Sequence, residues 1–391
     1  MSSVVFAITL SIVQRGMQYG TYAETIKTAV RASTGYLQVQ KVGYNKSPTI
    51  QKSFALSPAL RKMIDEAPGV NGSSPRIETD ALLSYRDQSL GVLITGIAQK
   101  TEGTVTDFPE KVSSGRFLSE DTTGSSVPGI VVGDKLLRNL GARVGDSVVV
   151  LAQGVDGVLG NMFIRIVGTF RTGSEEFDRV GAFMNISDLQ TFLGMEGRIN
   201  AIAISVADPD EVQIVAGHLN RMLKPMGLVA HPWQDLLPQL KQMIELDNSS
   251  GVLYIIILLF VVGFGIMNTV LMSVTERFRE YGVMLSLGMS QERLVTAVAM
   301  EIFFLLVMGF IAGNGIGAAV NAYWLRHPIL LGGDLASLYQ EYGFAPVLIS
   351  SLSFRIFVDS TLTILGISIV ASVYPLWRVL TLEPLKGIRY T

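Results

Sequence analysis

The chain has 391 residues, a net charge of -2 and a hydrophobic share of 49%, and only 16% of its residues are charged. The balanced charge provides no field that would recruit nucleic acid, and the absence of cysteine excludes disulfides, thiolate zinc sites and cysteine nucleophiles. Because the apolar residues are concentrated in the last third of the chain, the composition predicts a membrane segment joined to an ordinary soluble domain.

The first apolar stretch, residues 2–13, is about 18 Å long as a helix, too short to cross a hydrocarbon core of about 30 Å. It lacks the preceding basic region and the following small-residue cleavage site that mark a signal peptide. We therefore interpret residues 1–30 as a first transmembrane helix, apparently truncated, with an outer extension. A peripheral helix is the alternative.

Residues 31–245 have the composition of a soluble domain and alternate strand and helix patterns. Ser57 followed by Pro58 is typical of a helix N-terminus, and Gly141 is placed to end a helix. The predicted strands lie at 35–40, 90–97, 162–170, 181–186 and 201–207, and the predicted helices begin near Ser57, Asp134 and Asp210. This pattern predicts a large mixed α+β domain of two subdomains.

No residues in this domain have the spacing of a catalytic or metal site. The Gly133-Asp134 and Gly145-Asp146 pairs are typical of turns. The three histidines lie in unrelated contexts without the spacing of metal ligands. We therefore predict neither a catalytic residue nor a metal ligand.

The region 246–391 contains three further apolar segments, at 248–275, 294–325 and 356–380, each long enough to cross a membrane. Together with the first segment they predict four transmembrane helices, with the large domain between the first and the second. Arginine and lysine are concentrated in the loop after the second helix and in the tail 381–391, and such loops face the cytoplasm. The large domain is therefore predicted to be extracytoplasmic.

The loop after the second helix reads TERFREYGVMLSLGMS. Phe278, Tyr281 and Leu285 form one helical stripe, and Gly288 is placed to end the helix. Glu276 and Glu280 form a like-charge pair at i, i+4, which indicates a partner that supplies cations. We interpret 275–289 as an exposed docking helix; a loop that binds lipid headgroups is the alternative.

Glycines recur at every fourth position in the third apolar segment, at Gly309, Gly313 and Gly317. This spacing lets helices approach closely in lipid, and it predicts helix packing either within the chain or between two such chains. The side chains of Asn268, Asn314 and Asn321 are predicted to donate hydrogen bonds across helices.

Two motifs resemble those of ABC transporter permeases of the superfamily that includes lipoprotein-releasing, macrolide-exporter and cell-division (FtsX-like) permeases. The loop motif matches at Thr275, Glu276, Arg277, Glu280, Gly282 and Gly288, and the tail motif at Tyr374, Pro375, Arg378, Pro384 and Arg389. The sequence departs from the motifs at Ser286, Met289, Leu376 and Val379. Residues 129–150 and 163–173 resemble the MacB-like periplasmic core domain of the same superfamily.

The resemblance implies that 275–289 is a coupling helix that docks into a separate ATPase subunit. The residues implied in docking are Glu276, Arg277, Phe278, Arg279, Glu280, Tyr281, Gly282, Leu285 and Gly288. It further implies mechanotransmission, in which ATP hydrolysis moves the outer domain and no transport channel is lined by the helices. Two ATPases and a second permease, a copy or a paralogue, would complete the assembly in the inner membrane, with the large domain periplasmic.

The sequence contains no G-x-x-x-x-G-K-[ST] phosphate loop, so ATP and Mg²⁺ are expected in the partner ATPase and no cofactor is expected on this chain. The segment 31–44 resembles lipoprotein-releasing permeases, which favours a lipoprotein or another amphiphile as the substrate. The alternatives are an efflux permease with a periplasmic adaptor and a signalling permease that controls a cell-wall hydrolase. A secondary transporter is disfavoured because the sequence has no chain of intramembrane carboxylates and no internal repeat.

Overall fold

The computed structural model describes residues 2–118, 127–341 and 346–381. The helices are α1 Ser2–Ala32, α2 Pro58–Asp65, α3 Gln99–Glu102, α4 Asp134–Leu140, α5 Glu175–Val180, α6 Ile186–Leu193, α7 Val212–Leu223, α8 Trp233–Leu236, α9 Pro238–Glu276, α10 Phe278–Ser286, α11 Gln291–Arg326, α12 Gly333–Glu341 and α13 Phe354–Leu380. The strands are β1 Leu37–Lys41, β2 Phe54–Ala55, β3 Val70–Tyr85, β4 Gln88–Ile97, β5 Val112–Gly115, β6 Gly129–Gly133, β7 Ser147–Gln153, β8 Leu159–Phe170, β9 Gly181–Asn185, β10 Arg198–Ile199, β11 Ala201–Val206, β12 Leu228–Pro232, β13 Ile329–Leu330 and β14 Val347–Leu348.

The chain divides into two compact units. The first, which we call the helical unit, comprises residues 1–24, 243–331 and 347–391. The second, the sheet unit, comprises residues 25–242 and 332–346. Helix α1 belongs to the helical unit up to Glu24 and to the sheet unit from Thr25.

A ten-stranded sheet organises the sheet unit, in the order β12-β1-β11-β3-β4-β9-β6-β8-β5, with β7 paired to β3 and β8 beside this path. The β4–β9 and β6–β8 pairs are parallel. The other pairs described for this sheet are antiparallel, and β3 and β4 form the longest of these ladders. The mixed α and β character of this segment is therefore confirmed, and its division into two subdomains stays a prediction.

Local sequence signals account for several element ends in the sheet unit. Helix α2 begins where the Ser57 side chain accepts a hydrogen bond from the Leu60 amide, with Pro58 as its first residue. Helix α4 ends at Gly141, whose φ of 69° lies in the left-handed region that glycine adopts without strain. The long strand β3 was not predicted, because its first half contains Gly72, Pro75 and several polar residues, which disfavour a strand.

The last turn of α1 is held to the sheet unit by buried and half-buried charges. Arg76 of β3 is almost fully buried; it forms an ion pair with Glu102 of α3 and donates a hydrogen bond to the Ser33 carbonyl just after α1. The Arg31 Nε atom donates to both carboxylate oxygens of Asp107 at 2.8 Å. These contacts fix the end of α1 at a defined place in the sheet unit.

In the helical unit, α11 and α13 are long and apolar enough to cross a membrane, by length and composition. Helix α9 has 39 residues and contributes a shorter apolar stretch at Phe260–Glu276. The prediction of four transmembrane helices is therefore supported for two helices among the described residues. The transmembrane character of α1 and α9 stays a prediction.

Apolar side chains of α1 line the core of the helical unit. Val4, Ala7, Ile8 and Ile12 are buried in one cluster with residues of α9 and α13. Because these four residues recur at the spacing of one helix face, that face of α1 is removed from the surface of the unit. The residues of α9 and α13 in this cluster are Val262, Ile356, Ile364 and Ile367.

Candidate functional site

The predicted docking helix is shorter than its predicted bounds of 275–289. Helix α9 continues to Glu276, and the backbone of Arg277 leaves the helical region with φ -102° and ψ 7°. Helix α10 then runs from Phe278 to Ser286, and Gly288 with a φ of 97° separates it from α11. Glu276 therefore lies on the last turn of α9, and the prediction of one helix from 275 to 289 is wrong in its bounds.

One face of α10 is buried in an apolar cluster. Phe278 and Tyr281 are buried, and Leu285 packs against them, as the predicted stripe requires. The partners come from the end of α9, from the first half of α11 and from the end of α13, namely Val274, Leu294, Val298, Ile302 and Val379. Gly282 is buried on the same face. The stripe thus attaches α10 to three helices of the helical unit.

The opposite face of α10 is exposed and mixes charged with large apolar side chains. Arg279, Glu280, Val283 and Met284 are exposed on it. Leu287, the residue after α10, is 83% exposed. An exposed face of this composition is typical of a surface that contacts another protein.

The prediction of a like-charge pair of Glu276 and Glu280 within the docking helix is wrong. Glu276 and Glu280 lie on different helices, so they do not form a like-charge pair within one helix. The Glu280 carboxylate also has a cation in its own chain, because the Arg277 Nε atom lies 3.3 Å from it. The exposed apolar residues of α10 are therefore better support for docking than the acidic pair.

Arg277 makes a second ion pair that the sequence did not indicate. Its Nη1 atom donates to both carboxylate oxygens of Glu301 on α11, at 2.8 Å each. The Glu301 carboxylate raises the pKa of Arg277 above its usual value. Burial raises the pKa of Tyr281, although the adjacent Arg277 acts in the opposite direction. Both side chains thus keep their protons throughout the physiological pH range.

The glycine motif of α11 lies against α1 of the same chain. A Cβ atom added at Gly313 would lie 2.9 Å from the Cβ of Ile8, and one added at Gly317 would lie 2.9 Å from the Cγ2 of Ile12. Gly309 is also buried. The stripe therefore allows α1 and α11 to approach closely, which agrees with packing within the chain.

Two of the three predicted asparagines form hydrogen bonds between helices. The Asn321 Nδ2 atom donates to the Ile12 carbonyl of α1 at 3.0 Å. The Asn314 Nδ2 atom donates to the Thr361 hydroxyl of α13 at 3.1 Å. Asn268 is exposed. Side-chain amides thus reinforce the contacts of α11 with both α1 and α13.

The tail motif is only partly described. Tyr374 and Arg378 lie on the last turns of α13, with the Arg378 guanidinium 6.0 Å from the centre of the Tyr374 ring. Pro375 is buried inside the same helix. Pro384 and Arg389 lie outside the described residues. The described part of the motif is adjacent to Val379, which packs in the cluster that holds α10.

Two protein families match this chain, one in its first part and one in its last part. The MacB-like periplasmic core domain family matches residues 1–222, and the FtsX-like permease C-terminal family matches residues 252–384. The lipoprotein-releasing system transmembrane protein LolC of Neisseria meningitidis is 22% identical over 399 residues, which is 99% of this chain and 91% of that protein. LolC of Xylella fastidiosa is 25% identical over 331 residues, which is 83% of this chain and 78% of that protein.

Other relatives share less of the chain. The macrolide export ATP-binding/permease protein MacB of Neisseria meningitidis is 23% identical over 66% of this chain, and the matched region is 40% of MacB. Among solved structures, the periplasmic region of MacB from Actinobacillus actinomycetemcomitans is 15% identical, with a TM-score of 0.37 over 55% of this chain and 95% of that one.

The two family matches together identify the chain. It belongs to the ABC transporter permeases that join a MacB-like periplasmic core domain to an FtsX-like permease domain.

Proposed function

We propose that this chain is the permease subunit of an ABC transporter that works by mechanotransmission. A separate ATPase dimer docks on the exposed face of α10 and displaces that helix when it hydrolyses ATP. The displacement passes through the helical unit into the periplasmic domain, which releases a lipoprotein or another amphiphile from the outer face of the inner membrane. ATP and Mg²⁺ are bound by the ATPase.

The observation that carries the proposal is the two-sided character of α10. Phe278 and Tyr281 attach the helix to α9, α11 and α13, while Val283 and Leu287 on its other side are exposed. Leaving apolar area in water costs about 25 cal/mol per Å², so we expect a partner to cover this face. A docked ATPase covers this face.

The proposed topology rests on charge distribution and on the membrane helices. Helices α1, α9, α11 and α13 cross the inner membrane, with α10 and the tail cytoplasmic and the sheet unit periplasmic. Arg277, Arg279 and Arg293 lie in the short loop around α10, and cytoplasmic loops are enriched in such residues. A second permease, identical or paralogous, completes the transporter.

The proposed substrate class is supported by the extent of the similarity to LolC. LolC relatives match up to 99% of the chain, whereas the MacB relative matches 66% of it. We therefore place lipoprotein release before efflux with a periplasmic adaptor. Control of a cell-wall hydrolase comes last, because its permeases are expected to have a much smaller outer domain than this one.

The docking proposal is tested by placing a charge on the exposed face of α10. Leu287→Asp should reduce co-purification of the ATPase with the tagged permease at least tenfold, because a tenfold change corresponds to about 1.4 kcal/mol and a carboxylate in an apolar contact costs more than that. Leu330→Asp is the matched control, since Leu330 is 81% exposed and lies between α11 and α13. Equal recovery of the ATPase with both variants, at wild-type level, would rule out docking on α10.

A further inference from the structure

The position of Arg277 gives it a different role from its neighbours in the docking segment. It is the one residue between α9 and α10, and its backbone is not helical. Its carbonyl accepts the first hydrogen bond of α10, from the Tyr281 amide at 3.0 Å. Its side chain contacts Glu280 of α10 through Nε and reaches Glu301 of α11 through Nη1.

Glu301, the second carboxylate that Arg277 contacts, is an isolated charge on α11. Glu301 is the only charged residue of α11 between Arg293 and Arg326. It lies ten residues after Gln291, about 15 Å along the helix at a rise of 1.5 Å per residue. A lone carboxylate within an apolar membrane helix is costly unless a cation accompanies it, and the Arg277 Nη1 atom, 2.8 Å from both carboxylate oxygens, supplies that cation.

The ion pair is partly exposed, with side-chain exposures of 44% for Arg277 and 45% for Glu301, and it lies beside a buried apolar contact. Val298 and Ile302, on either side of Glu301 along α11, are buried against α10. A cavity of about 120 Å³ lies beside Glu301 and Tyr281, lined also by Thr269, Ser273, Val274 and Leu305. The Arg277–Glu301 ion pair thus adds a polar link between the start of α10 and α11 to the apolar packing of the two helices.

Helix α11 then connects to α1 through the close contacts of Gly313 with Ile8 and of Gly317 with Ile12. Helix α1 is continuous from Ser2 to Ala32, and Arg31 near its end pairs with Asp107. A displacement of α10 that reaches α11 therefore has a packed route to the part of α1 that belongs to the helical unit.

We propose that the Arg277–Glu301 ion pair transmits the displacement of α10 to α11, so that Arg277 is a positioning residue and not an ATPase contact. This inference rests on the proposed function. It assigns separate roles to two arginines of the same motif. Arg279, exposed on α10, contacts the ATPase, whereas Arg277 links the docked helix to the membrane helix.

A charge-exchange experiment on the full transporter in lipid nanodiscs separates the two roles. Arg277→Glu and Glu301→Arg should each keep ATPase binding within about twofold of wild type and reduce permease-dependent substrate release at least tenfold. The double variant Arg277→Glu/Glu301→Arg should restore release to within about threefold, because the pair is re-formed with its charges exchanged. Arg279→Glu, the matched control, should instead reduce ATPase binding.

The outcomes distinguish this inference from the proposed function. Loss of ATPase binding in Arg277→Glu, or no recovery in the double variant, overturns the inference. If wild type binds no ATPase, the proposed function fails, and the ion pair is then tested on the permease alone.

In that experiment a spin label is attached at Leu287→Cys, and Glu301→Gln, a replacement of equal size, removes the charge of Glu301. The spin label should become at least twofold more mobile in the Glu301→Gln variant; unchanged mobility overturns the inference.

Discussion

Arg76→Ala should lower the free energy of unfolding of the sheet unit by about 3–5 kcal/mol, because removing one partner of a buried ion pair leaves the other charge uncompensated. Arg76 and Glu102 have side-chain exposures of 2% and 0%. The substitution would leave the Glu102 carboxylate with only the Thr106 hydroxyl at 2.6 Å as a described side-chain donor. The Ser33 carbonyl would lose the donor that Arg76 provides.

The measurement is urea unfolding of the purified full chain, followed through the fluorescence of Trp233, which is buried in the sheet unit. The other two tryptophans, Trp324 and Trp377, are replaced by phenylalanine in all variants. Arg61→Ala is the control, since Arg61 forms an exposed i, i+4 pair with Asp65 and such pairs contribute about 0.3–0.5 kcal/mol. A loss for Arg76→Ala no larger than for Arg61→Ala would show that the buried pair does not stabilise the unit.

Gly313→Leu should separate α1 from α11 and destabilise the helical unit. An added Cβ at this position meets the Ile8 Cβ at 2.9 Å and the Val5 carbonyl at 3.1 Å, so the two helices must move apart. Overpacking of this kind costs about 1–3 kcal/mol, and in the transporter it should also reduce substrate release at least tenfold. Gly315→Leu is a close control, because nothing lies within 4 Å of a Cβ added there.

Thermal unfolding in detergent measures the first effect, with the midpoint of Gly313→Leu expected several degrees below that of Gly315→Leu. Substrate release by the reconstituted transporter measures the second effect. Equal midpoints and equal release for the two variants would contradict a close α1–α11 contact. A lowered midpoint with normal release would show that the contact stabilises the fold without carrying displacement.

The parts of this fold that short-range signals specify were predictable. Ser57 and Pro58 specify the beginning of α2, Gly141 specifies the end of α4, and the spacing of Phe278 and Tyr281 specifies the buried face of α10. In each case the signal lies within about one helical turn of the feature that it determines. Long-range partners play no part in these choices.

The features that depend on distant partners were missed. β3 is a strand because β4, β7 and β11 pair with it, although Pro75 and its polar neighbours disfavour that structure locally. The spacing of Gly313 and Gly317 predicted close packing but could not identify α1 as the partner. Glu301 was visible as a lone charge in an apolar segment, yet its pairing with Arg277 depends on how α9 ends.

We propose that the exposed face of α10 is cytoplasmic and the sheet unit periplasmic. Since the chain has no cysteine, single cysteines report on sidedness without background. Leu159→Cys probes the sheet unit, where Leu159 is 67% exposed, and Leu287→Cys probes the residue after α10. In intact spheroplasts a membrane-impermeant maleimide should label Leu159→Cys fully and Leu287→Cys only after permeabilisation; labelling of both before permeabilisation would contradict the account.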